Sequence, residues 1–71
     1  MKVFIATVDT YYQTMAVAET AEEATRLAVV RAQAFLAERE HIMGTATQEE
    51  FVEYYGVNLT EIEVGTAILV T

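Results

Sequence analysis

The spacing of apolar positions changes period along the chain, and each change marks an element. From Lys2 to Val8 apolar residues lie on both sides of an extended backbone. Val3, Ile5 and Thr7 point one way; Phe4, Ala6 and Val8 point the other. β-branched and aromatic residues suit a strand, and a strand apolar on both sides belongs in the middle of a sheet. Asp9-Thr10 is the only break before a second extended run, Tyr11 to Ala18, so the two form a tight antiparallel hairpin.

The period then becomes helical. Thr20-Ala21-Glu22-Glu23 has the capping-box pattern, with the Thr20 hydroxyl accepting from the Glu23 N–H and the Glu23 carboxylate reaching back to Thr20. The helix predicted from there runs to about Glu40. Ala21, Ala24, Ala28, Ala32, Phe35 and Leu36 share one face with Val29 at its edge, while Glu22, Arg26 and Gln33 lie opposite. Glu22 and Arg26 stand in the favourable i, i+4 order. A face built mostly of alanine allows close approach, so the helix is expected to lie flat across the hairpin.

Gly44 suits a helix end or loop. Thr47-Gln48-Glu49-Glu50 repeats the capping pattern and Gly56 supplies a stop. A short helix over Gln48 to Tyr55 results, with Phe51 and one tyrosine turned inward. From Asn58 the period returns to two: Glu61 and Glu63 face one way, Ile62 and Val64 the other. Gly65 interrupts, and Ala67 to Val70 is again apolar and extended, either one bulged strand or a last hairpin. The whole reads β-β-α-α-β: a two-layer α+β domain over residues 1–71, with an antiparallel sheet of three to four strands, a long helix on one face and a short second helix.

Size sharpens this picture. A domain of 71 residues buries only about 60% of the surface of its unfolded chain, and such domains usually gain support from disulfides, metals or oligomerisation. With no Cys, disulfides and thiolate metal sites are excluded. At 54% hydrophobic residues, the support comes from packing within the chain or from a second copy across the uncovered sheet face, which would include Met15, Val17 and one of Tyr11 and Tyr12. The apolar run at the N-terminus is too short for a signal-peptide core and no segment approaches a membrane span, so a cytoplasmic location is expected. Asn58-Leu59-Thr60 matches the glycosylation sequon, which without a secretion signal is a chance match.

Charge is unevenly placed. Residues 1–39 hold five acids and four bases; residues 40–71 hold six acids with no Lys or Arg, so nearly all of the net charge of −7 lies in the second half. A field of that sign repels nucleic acid and anionic membrane and attracts basic surfaces. Absent residue types restrict catalysis: there is no Ser or Cys nucleophile, the glycines stand alone, and His41 near the end of the long helix reads as a surface residue at its negative pole. No carboxylate spacing matches a calcium loop or a paired-carboxylate cleft, so neither an enzyme, a metal site nor a cofactor is expected.

What remains is a recognition surface over residues 45–65. Glu49, Glu50 and Glu53 lie on the short helix, and Glu61 and Glu63 lie on one side of the last strand, roughly 6.6 Å apart. Tyr54 and Tyr55 are about 100° apart on the helix, so both cannot be buried. A tyrosine among carboxylates suits a partner rich in Arg, which pairs with the acids and stacks on the ring. Small, Cys-free, strongly acidic domains of this build resemble phage and mobile-element inhibitors, the anti-CRISPR and anti-restriction proteins, nucleic-acid mimics among them. The resemblance lies in size, charge and layout over the whole chain and transfers no site residue. It implies a non-enzymatic inhibitor that occupies a basic nucleic-acid-binding surface of a host protein.

Overall fold

The computed structural model describes residues 1–67. Strand β1 spans Lys2–Asp9 and β2 spans Gln13–Ala18; helix α1 spans Ala21–Glu38 and α2 spans Gln48–Tyr55; strand β3 spans Asn58–Glu63. The sheet is antiparallel in the order β2-β1-β3, which puts the strand with two apolar faces in the middle. A turn follows β3, with Gly65 at φ +93°. A further strand expected over Ala67 to Val70 lies, beyond Ala67, outside the described residues.

Helix α1 packs across β1 and β2. Ala24, Ala28 and Ala32 are buried with Ala6, and Ala16 and Ala18 pack against them. Small side chains on both surfaces let helix and sheet come close. The larger fillers, Leu36, Val8, Val29 and Phe51, complete the core. Among the described residues, four of the eight that are fully buried are alanines, a small apolar volume.

Three local expectations are corrected. Tyr11 and Tyr12 are not on a strand: Asp9 pairs with Gln13, which leaves a loop of Thr10, Tyr11 and Tyr12, closed by the Thr10 N–H donating to the Tyr12 carbonyl. Both rings fold over the same side, edge-on to Phe35 at 6.3 and 5.5 Å, rather than to opposite faces. The box at Thr20 is only half formed. The Thr20 hydroxyl accepts from the Glu23 N–H, but the Glu23 carboxylate turns to the Arg26 guanidinium. A charged, two-pronged donor outcompetes a single amide, and it also takes Arg26 from Glu22. That hydrogen bond from Arg26 holds the Glu23 carboxyl below the usual glutamate range.

Gln33 is the third. It does not face solvent: its side-chain amide donates to the carbonyls of Met43 (3.1 Å) and Ala46 (2.7 Å), clamping the connection between the helices onto α1. That connection contains a 3-10 turn over Ile42–Thr45, which the sequence reading did not anticipate. Gly44 belongs to it, and its task is close approach. A Cβ there would lie 2.7 Å from the Ala37 backbone nitrogen.

Helix α1 ends two residues earlier than expected, in a Schellman arrangement: the His41 N–H donates to Leu36 and the Glu40 N–H to Ala37. The left-handed residue that this motif requires is Glu40, at φ +57°, where glycine is the usual occupant. The conformation costs an L-residue about 1–2 kcal/mol, partly offset in a glycine variant by greater unfolded-state entropy. Glu40→Gly is therefore expected to stabilise the fold by about 0.5–1 kcal/mol. The reading is a higher urea midpoint at an unchanged slope.

The second face of the sheet is uncovered by any described residue. Its central row is Ile5 flanked by Val17 and Thr60, with Thr7 between Met15 and Asn58 on one side and Val3 beside Ile62 on the other. Among the described residues, the charged side chains on this face are at its rim, at Asp9 and Glu19.

Candidate functional site

Helix α2 starts at a complete capping box. The Thr47 hydroxyl accepts from the Glu50 N–H, and the Glu50 carboxylate accepts from the Thr47 N–H at 3.0 Å. The backbone hydrogen bond from Thr47 draws the Glu50 carboxyl below its ordinary range. Phe51, the largest fully buried side chain, anchors the helix in the core. With that face fixed, Glu49, Glu50, Glu53 and Tyr54 are exposed.

The tyrosine pair divides as its angular spacing requires. Tyr54 is 69% exposed. Tyr55 is half-buried, 4.9 Å from the Phe51 ring and 4.8 Å from that of Tyr54. Burial, helped by Tyr54 and Tyr11, raises its hydroxyl pKa, so it is neutral at physiological pH. Tyr54 is thus the available ring and Tyr55 its support. Met43, Glu50, Glu53 and Tyr54 together line an open depression of about 530 Å³.

The acidic stretch does not form one continuous surface. Glu61 and Glu63 share a side of β3 as expected, but β3 carries them away from α2. At about 3.3 Å per residue Glu61 lies roughly 10 Å, and Glu63 roughly 17 Å, from the start of the strand. Each also has a cationic neighbour. Lys2 Nζ lies 3.4 Å from Glu61, and the Met1 amino group 3.2 Å from Glu63. The four groups are about half exposed or more, so these pairs are weak and salt-sensitive. They nonetheless lower the local negative field below that at α2.

A second cluster at the hairpin end escaped the sequence reading. The Arg39 guanidinium sits 5.3 Å from the centre of the Tyr11 ring and 5.1 Å from that of Phe35. Arg31, Phe35, Tyr12, Gln13 and Thr14 line a smaller pocket of about 250 Å³. The signal for it was the i, i+4 series Arg31, Phe35, Arg39 on α1, which aligns three long side chains on one stripe. His41 belongs here too. It is a cap rather than a dipole partner: Nδ1 accepts from the Met43 N–H at 3.1 Å, which leaves the ring proton on Nε2 in the neutral form.

Among the described residues no polar or charged side chain is buried, and no three His, Cys, Asp or Glu converge as metal ligands. No described helix is long and apolar enough to cross a membrane. The depression brings surface carboxylates and an exposed ring together beside Met43. Comparison with known proteins adds no identification, since no family model, curated protein or solved structure matches the chain significantly.

Proposed function

We propose that the protein is a non-enzymatic inhibitor that presents α2 to a basic, nucleic-acid-binding surface of a host protein. The observation that carries this reading is the depression between Met43, Glu50, Glu53 and Tyr54. An arginine side chain fits its chemistry at every point. The aliphatic stem lies along Met43, the guanidinium reaches the two carboxylates, and its flat face stacks on Tyr54. Glu49 widens the negative field beside it, while Glu61 and Glu63 on β3 contribute at longer range. A surface that evolved to hold phosphates offers arginines in that manner, and occupying it blocks nucleic acid. The acidic, Cys-free composition shared with anti-CRISPR and anti-restriction inhibitors supports the same reading.

The test must respect the capping box, because Lys at position 50 would break α2 as well as the charge. The appropriate variant is Glu49→Lys, Glu50→Gln, Glu53→Lys, since glutamine can still accept from Thr47. In a nuclease-treated bacterial lysate, the unmodified protein is expected to retain a basic nucleic-acid-binding protein that elutes at moderate salt. That partner should lose its nucleic-acid binding when saturated. The variant should melt like the parent and retain the partner at least about 100-fold more weakly, as expected for several charge-assisted contacts. Undiminished binding by the variant would remove the electrostatic mechanism.

A further inference from the structure

We infer that the uncovered face of the sheet is a self-association surface, and that the protein works as a symmetric dimer joined sheet to sheet. This goes beyond the reading of α2 and does not depend on it.

The face is unusual for this molecule in three respects. It is largely apolar: Val3, Ile5, Met15, Val17 and Ile62 project from it, with Met15 61% and Val17 54% exposed. It is free of charge inside its rim, although the chain carries a net charge of −7. It also contrasts with a core in which half of the fully buried residues are alanine. The chain therefore places five large apolar side chains on a face that no described residue covers, the kind of patch that marks an interaction site.

Charge decides the kind of occupant. A partner selected by electrostatics would meet carboxylates, and these lie on α1 and just beyond its end at Glu40, on α2, on the helix side of β3 and at the rim. The interior of the face offers apolar area and the uncharged side chains of Thr7, Asn58 and Thr60, which lets two identical acidic chains approach without opposing like charges. A face of this kind is self-complementary, as a two-fold interface requires, and two twisted sheets pack through such faces at about −30°.

Size sets the expected strength. Three strands about 4.8 Å apart, of eight, six and six residues at about 3.3 Å each, give a footprint of roughly 14 by 22 Å, and about twice that area once the relief of the side chains is counted. This is at the small end of specific interfaces, near 600 Å² per partner. The expected association is weak, with a dissociation constant on the order of micromolar.

The experiment is sedimentation equilibrium from about 1 to 200 µM on the full chain, with melting followed over the same range. The expected result is a monomer–dimer equilibrium and a melting temperature that rises with concentration. Val17→Lys should remain folded by circular dichroism and weaken dimerisation about 100-fold, because each substitution occurs twice across a two-fold interface. It also lowers the net negative charge, so weaker association could not be ascribed to greater long-range repulsion between the acidic chains. Val30→Lys, on the exposed side of α1, should leave the equilibrium unchanged. A monomeric mass at 200 µM overturns the proposal. So does a dimer that survives Val17→Lys but not Val30→Lys. Removal of residues 68–71 distinguishes the remaining occupant: a monomer that dimerises only after that removal would assign the face to the chain's own end. The Glu49, Glu50 and Glu53 variant should keep the same mass, so the two proposals fail separately.

Discussion

Ala28→Glu is expected to abolish the folded state. Ala28 is fully buried in the middle of α1, between Ala24 and Ala32, where the helix meets Ala6 and the neighbouring alanines of β2. A glutamate there must either push helix and sheet apart or carry its carboxylate into the contact. Overpacking of this kind costs about 1–3 kcal/mol. The carboxylate adds several more, because no polar side chain is buried among the described residues to receive it. A domain of 71 residues has roughly 4–10 kcal/mol of stability in total. The sum of the penalties exceeds the lower half of that range, so loss of the far-ultraviolet helical signal at 25 °C is the expected measurement. A cooperative melt retained by the variant would mean that α1 does not lie on the sheet through its alanine face.

That placement could be read from the sequence because it depends on periodicity alone. An alanine ladder at i, i+4 defines a face wherever the helix docks, and a strand apolar on both sides belongs at the centre of a sheet whichever strands flank it. The bounds of α2 were equally legible, because Thr47, Glu50 and Gly56 are local signals that act within a few residues. What was not legible depends on contacts distant in sequence. Gln33 looks like a solvent residue until the loop that supplies the Met43 and Ala46 carbonyls folds back over it. Tyr11 and Tyr12 look like strand residues until the pairing of Asp9 with Gln13 leaves them in the loop.

The candidate site shows the same division. That Glu49, Glu50, Glu53 and Tyr54 share an exposed surface follows from helical geometry and one buried anchor. That Glu61 and Glu63 stand apart, near Lys2, follows from β3 pairing with β1, which nothing local in residues 58–63 determines. Glu50 both lines the depression and forms half of the box that starts the helix bearing it. The sequence pattern contains both features, but only the structure shows one carboxylate belonging to both. On the two proposals, the apolar sheet face and the acidic helix would divide the labour of the surface. One is suited to a second copy, the other to a basic partner, so a dimer would carry two acidic faces and gain avidity wherever the spacing of the target's sites permits.

Phe51→Ala links stability to that surface. Phe51 is the one fully buried residue of α2 and lies in the same cluster as Leu36 and Val29. Truncating a buried phenylalanine costs about 3–5 kcal/mol, the transfer of the ring plus the cavity left behind. In a core with so few large side chains there is little to relax into the space, which favours the upper part of that range. The variant should show a much lower urea midpoint at a similar slope, and Phe51→Leu should recover more than half of the loss. Partner binding should fall with the folded fraction although Glu49, Glu53 and Tyr54 are untouched, because an unanchored α2 no longer holds the depression together. A cost below about 1 kcal/mol would show that α2 is held by the connection that Gln33 clamps rather than by its aromatic anchor. The recognition surface would then be a loosely docked helix, and its affinity would depend on ordering that helix at the moment of binding.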